Sequence, residues 1–495
     1  MEIKRLNYYV ANAIMVMALG VAGIEYAHAD STDDVVNALV AKGVLTEEEG
    51  TLILKGHNQQ KSSNLTPKFK DGFTLESGDG NTSLSISGRL HADYRNFNNN
   101  FSNDTAAVPT NSAKDTDTFD VRRARIEIKG KYREKFDFLI STDLAGTSAG
   151  NTSSVLDQAY VNYKYDPMIQ VRVGQFKMPM NLEKITSSNN VDFMERAAAN
   201  QLAANEDRGI MLHGSVYPGT TYAVAISSGE GAKNRNDEDP RVDNVEYVGR
   251  GTVNFAEIMG DKTAVYHVGV SGSYTELSKG TTNGYFSGTS KIRTEARGVE
   301  YFALPTITAV NGVDNSIERT RWGVEGAVAY GPVKFQSEYI RNTFKGNNSE
   351  TASFDKDVNA WYVEGMWLVT GENYADSYKE GAWGGIKPKQ NFEFGKGPGA
   401  VEVGVRYSKF DASDWSDFAA TAGGSGSGES ANVSRINLTN YTLEASTWTA
   451  GVKWILNPNT RVMLNYVNTK FDTPITVGSL VDNEKAIMAR AQFNF

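Results

Sequence analysis

The chain has 495 residues, a formal net charge of -9 at pH 7, 47 glycines, 23 tyrosines, 22 phenylalanines and no cysteine. The absence of cysteine excludes disulfide frameworks, thiol catalysis and thiolate metal sites, and the acidic balance gives no sign of nucleic-acid binding. A mean hydropathy of -0.42 is typical of a soluble protein, but also of a membrane β-barrel, in which each lipid-facing residue alternates with a polar one.

The amino-terminal segment, residues 1–29, predicts an export signal. Lys4 and Arg5 precede an uncharged stretch over 6–24, and Ala-His-Ala at 27–29 has the small-x-small form of a signal-peptidase site. We expect cleavage directly after this site. A retained membrane anchor is the alternative, because the uncharged stretch is just long enough to span a bilayer.

Residues 30–70 predict a short periplasmic helical segment followed by a polar linker. Apolar residues have helical spacing over 33–56, with an interruption at Gly43. Thr46 and Glu49 have the spacing of a capping box, which marks the start of a helix.

Residues 71–495 predict an all-β fold, an antiparallel transmembrane β-barrel. Strand-like stretches of roughly ten residues recur between clusters of Gly, Asn, Asp and Ser, and this length suits a tilted membrane strand. We predict sixteen strands, or eighteen if the glycine-rich segments 279–300 and 372–399 add two more. The predicted strands are 82–95, 118–130, 134–144, 155–164, 168–175, 207–216, 221–228, 246–256, 263–274, 318–330, 333–343, 357–369, 400–410, 441–456, 460–470 and 485–495.

Alternation of residue types separates a lipid face from a lumen face in several strands. Ala124, Ile126 and Ile128 alternate with Arg123 and Arg125. In the last strand, one parity holds Ile487, Ala489, Ala491, Phe493 and Phe495, and the other holds Met488, Arg490, Gln492 and Asn494. An exported chain that ends on an aromatic residue of such a strand predicts the outer membrane of a Gram-negative bacterium, with outer-membrane lipid and lipopolysaccharide around the barrel. A soluble β-sandwich or β-helix would not account for the signal, the strand length and the last residue together.

Four runs are concentrated between residues 118 and 200: FDVRRARIE at 119–127, LDQAYV at 156–161, VGQFK at 173–177 and LEKITSS at 182–188. With WGVEG at 322–326 and the terminal strand, they resemble the phosphate-selective porin O and P family from about residue 80 to the end. The resemblance implies a homotrimer of sixteen-stranded barrels. It also implies that the third long loop of each barrel folds inward and narrows the pore.

The resemblance further implies an anion-binding constriction. Its residues would be Arg122 and Arg123 on the second strand, Asp157 on the fourth, and Lys184, Ser187, Ser188 and Arg196 on the infolded loop. Parity places Arg125 in the lumen beside Arg123. Arg122 has the opposite parity, and we expect a β-bulge or a rim position there, because an arginine facing lipid at mid-depth costs roughly 2 to 4 kcal/mol.

The expected solutes are inorganic phosphate or related anions such as polyphosphate. An anion that enters a narrow pore sheds water, so the wall must supply donors, and arginine and lysine supply charged ones. Phosphate near neutral pH also carries a proton on oxygen, which chloride does not. Asp157 lies where the family has an acceptor for that O–H group.

Three vestibule cations, Lys291, Arg293 and Arg297, match the arginine ladder of the family, but Glu295 interrupts them. The infolded segment over 176–208 carries five carboxylates and four cations, so it is not basic. A general or sugar-permeable porin without phosphate specificity therefore remains the alternative. Aromatic side chains would have to line a sugar path, whereas Trp361 and Trp367 have the spacing of two interfacial girdles.

A barrel enzyme, such as an outer-membrane lipase or protease, is the remaining class. The histidines after the signal are His57, His91, His213 and His267, with no nucleophile elbow or zinc-type spacing near them. We therefore predict a protein without enzymatic activity, cofactor or metal.

Overall fold

We analysed the fold in a computed structural model of the chain. The predicted signal, 1–29, lies outside the described residues, as do most of the linker and most of the segments 96–117 and 229–245 between predicted strands. No helix among the described residues has the length and apolar character needed to cross a membrane. The described residues are 36, 39–53, 65–69, 72–98, 118–145, 155–229, 245–278, 291–305, 316–347, 353–420, 436–477 and 479–495.

The amino-terminal unit is helical where it is described, with helical residues at 39–41 and 47–53. Gly43 follows the first helix in the left-handed region, at φ 68°. The amide of Thr46 donates to Glu49 Oε2 at 2.9 Å, and the amide of Glu49 donates to Thr46 Oγ1 at 3.2 Å. This reciprocal pair is the predicted capping box.

Most of the rest of the described chain is built from β-strands, of which the long ones form a closed antiparallel barrel. In chain order they are β1 (Leu65–Phe69), β2 (Phe73–Ser77), β3 (Ser83–Phe97), β4 (Thr118–Tyr132), β5 (Phe136–Asp143), β6 (Val155–Lys164), β7 (Gln170–Lys177), β8 (Glu206–Gly214), β9 (Thr220–Ser227), β10 (Glu246–Asn254), β11 (Ala264–Ser278), β12 (Lys291–Arg293), β13 (Glu300–Ala303), β14 (Ser316–Tyr330), β15 (Val333–Asn347), β16 (Ser353–Leu368), β17 (Tyr378–Lys379), β18 (Ala382–Trp383), β19 (Ala400–Asp411), β20 (Ala419–Ala420), β21 (Ile436–Asn437), β22 (Glu444–Asn457), β23 (Thr460–Val477) and β24 (Ser479–Asn494).

Sixteen of these strands make up the ring within the described residues, and β24 pairs with β3 to close it. All sixteen predicted strands are confirmed. The short strands β1 and β2 extend the same sheet beside β3, while β12 with β13, β17 with β18 and β20 with β21 form separate two-stranded ribbons. Where they are described, the two glycine-rich segments left open in the prediction add no strand to the ring.

The outer face of the barrel is apolar, as the alternation predicts. Ile126 and Ile128 are exposed on β4, and Ile487 and Phe493 are exposed on β24. The side chain of Arg490, of the opposite parity, is fully buried on the inner face. Tyr330, Phe335 and Trp454 are exposed aromatic residues at the turn end of the barrel, a position that suits an interfacial girdle.

The barrel closes where the last residue meets β3. The amide of Gly88 donates to the carbonyl of Phe495 at 2.9 Å, and the amide of Phe495 donates to the carbonyl of Gly88 at 3.1 Å. A Cβ atom at Gly88 would lie 2.5 Å from the Phe495 ring and 2.8 Å from the carbonyl oxygen of Arg125. Glycine is therefore required here for close approach of the terminal ring.

The connection between β7 and β8, residues 178–205, folds into the lumen. It contains short helices at Leu182–Ile185 and Ala199–Leu202 and many fully buried side chains. Asp192 of this infolded loop accepts two hydrogen bonds from Lys334 on the barrel wall, at 2.6 and 2.7 Å. The inward path implied by the family resemblance is confirmed.

A second connection, residues 369–399 between β16 and β19, folds inward from the opposite end of the barrel. The indole of Trp383 donates to Gln336 Oε1 at 2.6 Å, and its amide donates to Thr186 Oγ1 of the infolded loop at 3.3 Å. The two inward connections therefore meet inside the barrel. A buried apolar cluster elsewhere in the barrel includes Tyr301, Phe302, Phe410, Trp415 and Phe471.

Candidate functional site

Two of the cavities inside the barrel lie where the inward connections leave space for solutes beside charged side chains. The larger has a volume of about 600 Å³ and the smaller about 260 Å³. Arg123, Ser188 and Arg196 line both cavities. We use the name 'waist' for the place between the two cavities that these three side chains line. All three were predicted as constriction residues.

A β-bulge explains how adjacent arginines both point away from lipid. On β3, His91 is opposite Arg123, while the next residue, Ala92, is opposite Val121. Arg122 is therefore the extra residue of the bulge, as its parity predicts. The bulge turns its guanidinium into the barrel.

Arg122 and Arg123 have different surroundings in the lumen. Arg122 Nε donates to Glu195 Oε1 at 2.8 Å, and Arg122 Nη2 donates to Glu195 Oε2 at 3.3 Å. Arg123 is buried, and its Nε has no hydrogen-bond partner among the described residues. No carboxylate of the described residues forms an ion pair with Arg123, so its charge faces the waist.

A second bulge, at Asp157, brings this carboxylate to Arg125. Leu156 and Gln158 pair with consecutive residues of β5, and Asp157 is the extra residue between them. Arg125 donates from Nη1 to Asp157 at 2.5 Å and from Nε to Asp143 at 2.8 Å. The two predicted site residues therefore neutralise each other, and Asp143 adds a second carboxylate.

Two cations hold the infolded loop without using carboxylates. Lys177 Nζ donates to the carbonyls of residues 184–186, at 3.3 to 3.5 Å. Arg196 donates to the carbonyls of Glu183 at 2.9 Å and Thr186 at 2.7 Å. Because carbonyl groups are neutral, these hydrogen bonds do not neutralise either cation next to the larger cavity, although burial lowers the pKa of Lys177 to about 7.

The predicted site residue Lys184 lies behind the loop surface. Its Nζ donates to Asn205 Oδ1 at 2.7 Å and lies 3.8 Å from Glu206 Oε2. Burial lowers the pKa of Lys184, while Glu206 opposes that shift. Lys184 lines neither cavity.

The predicted serines face the cavities. Arg89 Nη1 donates to Ser188 Oγ at 3.2 Å and approaches Ser187 Oγ at 3.5 Å. The same guanidinium forms an ion pair with Glu127. Both hydroxyl groups line the larger cavity beside Arg89, whose charge Glu127 neutralises.

Two of the three predicted vestibule cations share one carboxylate. Lys291 lies 2.9 Å and Arg293 lies 2.5 Å from Glu300. Arg297 is exposed, has φ 61°, and lines the smaller cavity without an ion pair to a described carboxylate. Glu295 points away and receives a hydrogen bond from Arg406 at 2.6 Å. Glu295 therefore does not neutralise the vestibule cations by direct contact.

With this geometry established, comparison with known proteins identifies the family. The family described as "Phosphate-selective porin O and P" matches residues 84–495. The chain belongs to the phosphate-selective porin O and P family. This porin is 27% identical over 448 residues to Porin O of Pseudomonas aeruginosa, across 88% of this chain and 93% of that relative. The family membership confirms an outer-membrane porin, a channel protein without enzymatic activity.

Solved structures similar to the porin are also outer-membrane proteins. The outer membrane channel DcaP of Acinetobacter baumannii has 12% identity and a TM-score of 0.48, over 86% of this chain and 99% of that one. The trimer form of OmpT from Vibrio cholerae has 10% identity and a TM-score of 0.46, over 84% of this chain and 99% of that one.

The histidines of the porin that the structure describes belong to hydrogen-bond networks of the wall. His91 lies 3.0 Å from Asn189 Oδ1, and His267 lies 3.0 Å from Glu325 Oε1. His213 lies 2.7 Å from Asn162 Oδ1. Across the described ranges, no group of three or more His, Asp or Glu side chains could hold a metal ion.

The prediction missed several charged residues that face the lumen of the porin. Arg89 and Arg172 line the larger cavity, and Glu195 lines the smaller one. Arg89, His91, Asp93 and Arg95 occupy alternate positions of β3, so strand parity could have found this face. For Glu195 no such signal existed, because its position depends on the path of the infolded loop.

Proposed function

We propose that the porin passes anions in preference to cations. The observation that carries this proposal is the state of the cations at the waist. Arg123 forms no ion pair with a described carboxylate, and Arg196 and Lys177 are held by neutral carbonyl groups. Unneutralised cations that line a narrow pore attract anions and repel cations.

Phosphate or polyphosphate is the anion that the site suits best. The Ser187 and Ser188 hydroxyls can replace water on an oxyanion, and the Arg123 fork can bind two of its oxygens. Asp157 itself lines neither of the two cavities, but it pairs with Arg125, which lines the larger one, and it has lone pairs beyond the one that Arg125 uses. Its carboxylate could therefore accept the O–H of a protonated phosphate, and chloride offers no such group.

The sugar-permeable alternative has less support. Trp367 is exposed on the outer face, whereas Trp383 and Trp415 are buried. Trp361 contacts Tyr407 with ring centroids 5.6 Å apart. None of these tryptophans lines either of the two cavities, where a sugar ring would have to stack.

We also propose a homotrimer embedded in outer-membrane lipid and lipopolysaccharide. The family resemblance and the exposed apolar side chains of the barrel wall support this assembly. Cross-linking of the protein purified in mild detergent tests it. A ladder that ends at three subunits is expected, and a single monomer band would contradict the trimer.

Reversal potentials in planar bilayers test the selectivity. Gradients of potassium chloride and of potassium phosphate should both give potentials of the anion-selective sign, and phosphate should block the chloride current. Arg123→Gln should weaken both effects, whereas Arg341→Gln, which removes a cation outside both cavities, should leave them near the native values.

Cation preference of the native channel would refute the proposal. Equal treatment of phosphate and chloride, with no block, would leave a general porin. Block by oligosaccharides without block by phosphate would favour the sugar-permeable alternative.

A further inference from the structure

Three arginines from the barrel wall converge on one carboxylate of the infolded loop. Arg122 binds Glu195 through two nitrogens, at 2.8 and 3.3 Å. Arg95 Nη2 and Arg490 Nη2 approach Glu195 Oε1 at 3.2 and 3.3 Å. Charge-assisted hydrogen bonds from several guanidinium groups are the usual surroundings of a bound oxyanion. Here the loop itself supplies the oxyanion.

The residues on either side of Glu195 in the sequence also lie among the charged groups of the lumen. The carbonyl of Met194 accepts a hydrogen bond from Arg490 Nη1 at 2.6 Å, and the next residue is the waist cation Arg196. Burial tends to raise the pKa of Glu195, but Arg122 and its neighbours outweigh burial and hold that pKa well below its usual range. The carboxylate is therefore ionised at neutral pH.

The carboxylate also faces one of the two cavities. Glu195 lines the smaller cavity together with Arg122, Arg123 and Arg297. Its negative charge therefore lies beside the cations that a passing anion meets next to the waist. An anion in this cavity competes with Glu195 for the same guanidinium groups.

We propose that Glu195 is a built-in counter-anion of the porin: it occupies the arginine cluster beside the waist and so lowers the affinity of the channel for the anions that pass. The inference deepens the anion selectivity proposed above and rests on it. A conducting site must bind an ion well enough to admit it and weakly enough to release it. Arg95 and Arg490 also pair with Asp93, so it is mainly Arg122 that would lose its carboxylate without Glu195. Together with Arg123, Arg122 would then hold an oxyanion tightly and slow its release.

Glu195→Gln tests this role, because the amide keeps an oxygen acceptor for Arg122 but removes the charge. In planar bilayers, phosphate should block the chloride current of this variant at about tenfold lower concentration than in the native channel, and anion preference should increase. The phosphate current at saturating concentration should fall. Glu195→Asp keeps the charge and should stay close to native selectivity.

Asp192→Asn is the matched control for anchoring of the loop. Asp192 belongs to the same loop and pairs with a wall cation, Lys334, yet it lines neither of the two cavities. If Asp192→Asn and Glu195→Gln change phosphate block to the same extent, the inference is wrong. It is also wrong if Glu195→Gln leaves the block unchanged. A native channel without anion preference would instead refute the proposed function itself.

Discussion

Arg490, on the last strand, donates from Nε and Nη2 to the carboxylate of Asp93 on β3, at 2.6 and 2.8 Å. Neither side chain is exposed to solvent. The ion pair joins the two strands that close the barrel, which are 397 residues apart in the chain. This one ion pair therefore helps to hold the whole barrel closed.

Asp93→Asn is expected to destabilise the closed barrel. The variant leaves the buried guanidinium of Arg490 without its main counter-charge, and breaking a buried pair typically costs about 3 to 5 kcal/mol. Denaturant unfolding in detergent micelles measures the loss. Lys396→Gln is the control, because the Lys396–Glu393 pair is 71% and 61% exposed and should contribute less than about 1 kcal/mol. Similar losses in both variants would contradict the role of burial.

Gly88→Ala is expected to impair barrel closure at the carboxyl terminus. The new methyl group would lie within contact distance of the Phe495 ring and of a backbone oxygen, so the strand must move, at a cost of about 1 to 3 kcal/mol. Folding yield and unfolding free energy in detergent measure this effect. Gly251→Ala, in a strand position with no atom within 4 Å of the new Cβ, should fold normally. A normal yield for Gly88→Ala would show that the last strand can shift.

Lys184→Glu is expected to weaken phosphate block and reduce anion preference. The variant reverses a charge of the infolded loop and places a carboxylate beside Glu206 and Asn205, where Lys184 now binds. Single-channel current with added phosphate measures the change. Lys184→Gln removes the charge and can keep a hydrogen bond to Asn205, so it should show about half of the effect on selectivity. Unaltered selectivity in both variants would assign Lys184 a purely structural role.

The stability of the infolded loop is expected to depend on pH through Glu183. Burial raises the pKa of Glu183 to about 7, against the opposing charges of Arg406 and Arg196. The folded protein therefore binds a proton more tightly than the unfolded chain, whose Glu has a pKa of 4.5. The unfolding free energy should fall as the pH rises from about 4.5 to about 7 and then level off with respect to this group.

Glu183→Gln should remove this part of the pH dependence, because the amide does not titrate. Unfolding in detergent at a series of pH values measures both proteins. A native slope of the opposite sign, or an unchanged slope in the variant, would contradict the assignment to Glu183.

The barrel itself could be predicted closely from the sequence. Lipid on one side and water on the other impose a period of two, so each strand carries its own signal without reference to its neighbours. The bulge at Arg122 followed from the same rule, since its charge could not face lipid. The capping box of Thr46 and Glu49 was likewise local.

The inward connection over 369–399 could not be predicted in the same way. Its glycine-rich sequence carries no period, and its contacts, such as Trp383 with Thr186, join segments 197 residues apart. Lys184 illustrates the same limit within the site. Its motif predicts a constriction residue, but only the fold shows that it turns towards Asn205.

The amino-acid sequence by itself determined the sixteen strands and which of their faces meets lipid, and it predicts the export signal. These features depend on short-range patterns of apolar and polar residues. Only the tertiary structure decided which cations are neutralised. Arg125 meets Asp157 and Arg122 meets Glu195, whereas Arg123 next to them faces the waist. Ion pairing depends on distances of a few ångströms between side chains that the infolded loop and the closed barrel bring together, and the order of residues along one strand does not contain those distances.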